Sequence, residues 1–316
     1  MSATSFVDVR HVFVDLASPT SILARLTGRT SQPYSVLRDV SFQLTAGQQV
    51  VIFGGAGSGK STLLRTLAGT LAPSRGKIFI NGKPPHEAPG MAAGYVSVEE
   101  SEPGGDTVHA ALHAYGISHS LSGVPARVGA IAEQVGLTGM LTKKVEILST
   151  TERLRLNIAR AVMSPAPLLL LDDVVDQLGA LAVKQLLDGV LRDRTVLLAT
   201  RSIIDAEALN MPLMLLHNGT IAHFGDRDAL ALAAGCERTV YAWVESLRYD
   251  VLRSLRRLPG IVEVRLIPTD QFEGQKLQIV VKSSRYLPTL YDHISQAALI
   301  KIEEHPVTLS EILRAL

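Results

Sequence analysis

The 316-residue chain has one cysteine, Cys236, so no disulfide can form within it, and little net charge, with 31 Lys+Arg against 30 Asp+Glu. The first absence points to a reducing, cytosolic setting. The second removes the basic footprint that a large nucleic-acid surface needs, so no nucleic-acid partner is expected. Apolar runs are short: Ala166 to Leu171 is of core-strand length, against the ~18 residues that a bilayer-crossing helix requires. The opening MSATSFVDVR lacks the basic-then-apolar pattern of a signal peptide, and secretion is not expected. There is no internal repeat or low-complexity tract. With 47% hydrophobic and 19% charged residues, disorder is excluded and one large or two modest globular domains are implied.

Strands and helices alternate along the chain. Phe6 to Val14, Ser41 to Leu44 and Gln49 to Phe53 read as strands, the last running into glycines, and Ala17 to Pro33 reads as an inserted loop rich in Ser, Thr and Pro. Ser61 to Leu71 has helical spacing, and Lys77 to Ile80 before Asn81-Gly82 reads as a strand entering a tight turn. Thr107 to about Leu141 is helical with breaks at Gly116 and at Ser122 to Pro125, and a further helix fits Glu152 to Val162. A helical subdomain is expected over about residues 101–160. Leu168 to Leu171 and Thr195 to Ala199 are buried strands around a helix near Ala182 to Leu191. Apolar strands alternating with helices imply an α/β fold with a mostly parallel sheet. Beyond Asp226 the pattern changes to a helix near Val240 to Arg257, strands Ile261 to Ile267 and Leu277 to Val281, a helix near Tyr286 to Ala297, a strand Leu299 to Glu303 and a last helix after Pro306. The boundary is expected between 226 and 239, giving a domain of residues 1–230 and a small C-terminal α/β domain of residues 231–316.

Gly54 to Thr62 reads GGAGSGKST and satisfies G-x-x-x-x-G-K-[ST] after a strand and at the start of a helix. Gly55, Gly57, Ser58, Gly59, Lys60, Ser61 and Thr62 are therefore candidates to cradle nucleotide phosphates, with the positive end of the helix adding to the attraction. Lys60 should reach the β and γ phosphates, and the Ser61 hydroxyl should ligate Mg²⁺. Asp172, ending the strand Leu168-Leu169-Leu170-Leu171, is the second candidate for Mg²⁺, at the strand end where ligands collect in open α/β sheets. Asp173 stands where a general base would orient the attacking water; its alternative role is to cap the segment that follows.

These segments, with Tyr34 to Leu44 (YSVLRDVSFQL), Leu148-Ser149 followed by Arg153 to Val162 (RLRLNIARAV), and His217-Asn218-Gly219-Thr220-Ile221 before Gly225, resemble the nucleotide-binding subunit of ABC transporters over residues 5 to 230. The resemblance implies a P-loop NTPase with an ABC-type ATPase core and helical subdomain, binding ATP with Mg²⁺. It implies two cassettes that close head to tail on two ATP molecules and drive a membrane permease subunit from the cytoplasmic face, with this chain peripheral on the inner face of the cell membrane.

Several positions depart from the family's pattern. The signature L-S-G-G-Q reads Leu148-Ser149-Thr150-Thr151-Glu152. Ser149 keeps a hydroxyl that can donate to a γ-phosphate across the dimer. Thr150 and Thr151 replace glycines, and Glu152 adds a carboxylate beside an anion. The glutamine that senses Mg²⁺ aligns with Val98, with Glu99 next door as a substitute. The catalytic glutamate becomes Asp173, one methylene shorter, and a misplacement of about 1 Å can cost ~10²-fold in rate. The switch histidine falls at Arg201, which would clamp the γ-phosphate or else pair with Asp205 on the surface. Gly179 replaces an Asp that addresses the opposite site, and Phe13 or Tyr34 are candidates to stack on adenine. His109 and His113, spaced i, i+4, are expected as solvated or interface residues rather than metal ligands. Leu258 to Val264 and His305 to Leu316 resemble the appendix of exporter-type subunits that handle drugs, lipids or polysaccharides.

The expectation is an ATP-binding subunit that couples binding and slow hydrolysis to a permease, as a homodimer or a heterodimer with a consensus ABC ATPase. The rivals are a degenerate regulatory or structural cassette without turnover, a soluble clamp outside transport, and an ATPase rewired through Glu99, Asp173 and Arg201.

Overall fold

The computed structural model describes residues 5–16, 34–87, 92–98, 106–245, 247, 249–268, 274–296 and 298–316. The 17–33 insertion, Glu99 and residues 101–105 lie outside the described residues. The chain divides into two compact units, residues 1–224 and 225–316.

The first unit contains, in chain order, β1 (Val7–Leu16), β2 (Tyr34–Leu44), β3 (Gln49–Phe53), α1 (Lys60–Leu67), β4 (Arg75–Ile80), β5 (Ala93–Ser97), α2 (Val108–Ser118), α3 (Val124–Gln134), α4 (Thr150–Met163), β6 (Leu168–Asp172), α5 (Val175–Leu178), α6 (Ala180–Asp188), β7 (Thr195–Thr200), α7 (Ile203–Leu209), β8 (Leu213–His217) and β9 (Thr220–Gly225). Two sheets form. β1 lies between β2 and β4 in a three-stranded antiparallel sheet. Val7, Val9, Val12 and Val14 of β1 are all buried, although strict alternation would turn the last two outward. A bulge at His11, with φ 49°, resets the phase. Gly76 on β4 accommodates it: a Cβ there would lie 2.3 Å from the His11 carbonyl oxygen.

The larger sheet has the order β5-β6-β7-β3-β8-β9, with β5, β6, β7, β3 and β8 parallel. β6 and β7 are buried at every position, as strands covered on both faces must be. α1 packs its Leu63, Leu64 and Leu67 into the core beneath the smaller sheet.

α2, α3 and α4 form the helical region. The Thr107 hydroxyl caps α2 by accepting from the Ala110 N–H, and Pro125 sits in the first turn of α3. Gly116 does not break the helix, contrary to expectation: α2 runs through it to Ser118. Its role is close approach, since a Cβ on Gly116 would meet the Val124 methyls at 2.7 and 2.9 Å.

The second unit follows as α8 (Arg227–Ala233), β10 (Arg238–Val244), α9 (Tyr249–Leu255), β11 (Ile261–Ile267), β12 (Gln275–Val281), α10 (Leu287–Ser295), β13 (Leu299–His305) and α11 (Leu309–Ala315). From β10 to β13 this is a β-α-β-β-α-β unit with an antiparallel sheet ordered β11-β12-β10-β13, the split βαβ arrangement. The helix expected from Val240 to Arg257 is therefore corrected to a strand and a shorter helix. Val240, Ala242 and Val244 alternate into the core, while Tyr241 and Trp243 take the opposite face. There the Lys276 ammonium lies 4.6 Å from both ring centres, and Lys301 lies 5.1 Å from that of Trp243. The chain's β-branched and aromatic content and two-sided pairing favour the strand at this position.

Gly116→Ala should destabilise the first unit by about 1–3 kcal/mol through overpacking against Val124. Val124→Ala combined with it should recover much of that loss, as read by chemical denaturation of the single and double variants.

Candidate nucleotide site

Strand register brings the chemistry to one rim. Ser97 pairs with Asp172, Asp172 with Ala199, and Phe53 with Thr200 on adjacent parallel strands. The residues just beyond the strand ends, Val98, Asp173, Arg201 and Gly54, therefore emerge side by side at the carboxyl edge.

The loop from β3 into α1 is shaped by its glycines. A Cβ on Gly54 would lie 2.3 Å from the Leu216 carbonyl oxygen, and Gly59 has φ 104° with Leu37 at 2.8 Å from a would-be Cβ. Gly55 and Gly57 face open space, which leaves their backbone accessible to a ligand. Lys60 is buried at the base of the loop, its Nζ donating to the Gly54 and Gly55 carbonyl oxygens at 2.8 and 3.0 Å. Burial lowers its pKa. Ser58 Oγ is buried without a hydrogen-bond partner among the described residues. A cradle with open glycine backbone, a buried ammonium and an orphan hydroxyl fits a phosphate group.

Next to it, Ser61 Oγ donates to Asp172 Oδ1 at 3.1 Å, and the Tyr95 hydroxyl donates to Asp172 Oδ2 at 2.8 Å. Arg65 Nε donates in turn to the Tyr95 oxygen at 3.4 Å. Burial pushes the Tyr95 phenol up to about 12. A hydroxyl and a carboxylate oxygen form a hard donor pair that fits Mg²⁺, which takes few protein ligands and completes its shell with water and phosphate. Among the described residues there is no cluster of three His, Cys, Asp or Glu side chains to hold a metal by protein groups alone.

Asp173 occupies a left-handed backbone position, φ 52°, which Asp tolerates better than most residues. Its Oδ1 is buried without a hydrogen-bond partner among the described residues, and its Oδ2 lies 3.7 Å from Arg201 Nε. Arg201 Nη2 donates to Asp176 Oδ2 at 3.2 Å. Burial, followed by the neighbouring Asp172 charge, raises the Asp173 pKa, and Arg201 offsets part of the rise. The surface pairing of Arg201 with Asp205 is thus corrected to a pairing with Asp173 and Asp176. The Asp205 N–H is instead held by the Ser202 hydroxyl at the start of α7. Asp173, Asp176, Arg201, Ser61 and Val98 line one cleft of about 450 Å³.

Ser149 to Glu152 begin α4 and do not line that cleft. They form a capping box: the Ser149 hydroxyl accepts from the Glu152 N–H, and Glu152 Oε2 accepts from the Ser149 N–H at 2.8 Å and from its hydroxyl at 3.0 Å. The Ser149 N–H first, then its hydroxyl and Lys143, hold the Glu152 carboxyl below its usual range. In this chain the Ser149 hydroxyl is thus engaged by Glu152 rather than free to donate elsewhere. Thr150 and Thr151 are the first two helical residues of α4. Of the adenine-stacking candidates, Phe13 carries the Arg75 guanidinium 4.1 Å from its ring centre, and Tyr34 is half exposed. The His109 and His113 rings stack with centres 6.1 Å apart.

Three residues of the rim were not singled out from sequence: Tyr95, Arg65 and Asp176. Helical spacing carried a signal for the second, since Arg65 lies one turn after Ser61. Asp176, three residues after Asp173, carried a weaker one.

The ABC transporter family profile matches residues 37–176. The chain is 34% identical over 211 residues to the thiamine import ATP-binding protein ThiQ of Brucella suis biovar 1, spanning 61% of this chain and 84% of that protein. It is 31% identical over 215 residues to the glutathione/L-cysteine transport system ATP-binding/permease protein CydC of Escherichia coli K12, spanning 65% of this chain and 37% of that protein. Among solved structures, an ATP binding subunit of an ABC transporter superposes with a TM-score of 0.61 at 24% identity, over 73% of this chain and 94% of that one, which establishes the P-loop α/β fold.

The raised Asp173 pKa means that folding favours its protonated form, a contribution complete below the ordinary value of 3.8 and lost as pH rises through the elevated one. Asp173→Asn should therefore raise the melting temperature at pH 7 by about 1–3 °C, and the difference should close as the solution is acidified.

Proposed function

Because the chain belongs to the ABC transporter family as an ATP-binding subunit, we propose that it grips Mg²⁺–ATP with the Gly54 to Thr62 loop and the Asp172 rim, and couples that binding to a membrane permease while hydrolysing ATP slowly. The observation that carries this reading is the Arg201–Asp173–Asp176 cluster. A general base for water needs a free carboxylate, and Asp173 is short, pushed toward its neutral form and faces a guanidinium. Arg201, always charged, would turn from Asp173 and Asp176 to the γ-phosphate, so that nucleotide binding itself rearranges the rim. Bound Mg²⁺ would supply neutralisation of phosphate charge beside Ser61 and Asp172.

The capping box at Ser149 favours a second reading of the same site, a regulatory cassette with no turnover, because Glu152 already takes the Ser149 N–H and hydroxyl. Both readings favour a heterodimer with a consensus ABC ATPase over a homodimer, since two copies of this chain would bring the same departures to both sites. We further propose export of a lipid, drug or polysaccharide, on the resemblance of the C-terminal segment to exporter appendices; ThiQ, by name, serves import. A peripheral place on the inner membrane face accords with the described helices, none of which is long and apolar enough to cross a membrane.

Calorimetric titration should show Mg²⁺–ATP binding that Lys60→Ala abolishes, with turnover by the purified chain well under about one per second. Turnover near that rate, lost in Asp173→Asn, would overturn slow hydrolysis. Arg201→Ala should weaken ATP roughly 10-fold while leaving ADP unchanged, the worth of a charge-assisted γ-phosphate contact. Equal effects on both nucleotides would place Arg201 outside the γ-phosphate site.

A further inference from the structure

The two oxygens of Asp172 have different partners, and the difference originates in two neighbouring elements. α1 presents Ser61 and Arg65 one turn apart on one face. β5, in register with β6, presents the Tyr95 hydroxyl to the same carboxylate. Tyr95 fixes Oδ2, Ser61 addresses Oδ1, and Arg65 donates to the Tyr95 oxygen, so that the phenol's own proton is directed at Asp172. Asp172 is buried and cannot turn both oxygens outward without breaking the Tyr95 bond.

The chemistry of divalent cations gives this arrangement a consequence. Mg²⁺ is small and near-octahedral and takes one oxygen from a carboxylate, whereas Ca²⁺ is larger, irregular and readily takes both. A carboxylate with one oxygen tied back suits the first and handicaps the second. We propose that Tyr95 is a positioning residue that holds Asp172 to a single outward oxygen and thereby sets the preference of the nucleotide site for Mg²⁺ over Ca²⁺. This rests on the reading of Ser61 and Asp172 as the metal-facing pair, whether Asp172 meets the cation directly or through a bound water.

The test is titration of ATP into the full chain with EDTA, MgCl₂ or CaCl₂, comparing wild type with Tyr95→Phe, which removes only the hydroxyl. In EDTA the two proteins should bind ATP alike. With MgCl₂ the variant should lose roughly 10-fold in the metal-dependent gain in affinity, the usual scale for a residue behind a metal ligand. With CaCl₂ it should lose little or improve, so that the Mg²⁺ to Ca²⁺ preference falls by a similar factor. An unchanged preference overturns the assignment, as does an equal loss in all three solutions, which would mark Tyr95 as structural. If Tyr95→Phe does not fold, Arg65→Met serves, with a smaller shift of the same ratio expected and an unchanged ratio again overturning the proposal. Wild type that binds no ATP in any of the solutions would instead refute the nucleotide-site reading itself.

Discussion

Parallel hydrogen bonding between β5, β6, β7 and β3 ties Ser97, Asp172, Ala199 and Phe53 to linked registers, and the chemistry of the first unit depends on that alignment. These strands are buried on both faces, so register is enforced by packing as well as by the ladder: a one-residue slip would exchange every side chain between faces. Level strand ends mean that residues distant in sequence, such as Val98, Asp173 and Arg201, leave the sheet within reach of one cleft. The glycine loop closes the same rim because β3 is next in the sheet order.

Electrostatics at the rim are nearly balanced but crowded. Three carboxylates, of Asp172, Asp173 and Asp176, face the cations of Lys60 and Arg201. Burial works against charge on both sides, lowering Lys60 and raising Asp173, while the opposite charges nearby act against each shift. A polyphosphate entering this rim competes with carboxylates for the same cations. At the start of α4 the competition is already decided, with Glu152 holding the Ser149 N–H and hydroxyl.

Much of the first unit was legible because its signals are local. GGAGSGKST announces a strand, a glycine loop and a helix, and the four leucines before Asp172 announce a strand buried on both faces. Less legible were features that depend on what lies opposite. Gly116 reads as a helix breaker until Val124 is seen against it. Val240 to Val244 reads as helix only while its partners, β12 and β13, are unknown. Motif spacing points to the ends of β6 and β7 but not to Tyr95 or Asp176, because their roles come from cross-strand and loop contacts. Arg201 was identified by position, yet its partners were not, since Asp205 is closer in sequence and Asp173 and Asp176 are closer in space.

Trp243 is the one tryptophan of the chain, and it belongs to the second unit, beneath the ammonium groups of Lys276 and Lys301. The carboxyl rim of the parallel sheet is thus spectroscopically silent at tryptophan wavelengths, while the split βαβ unit carries an intrinsic fluorophore whose emission is sensitive to the cations above it. Heating or denaturant can therefore be followed with separate optical signatures, indole emission for the C-terminal unit and backbone dichroism for the whole, so that the order in which the two units melt can be read without any label.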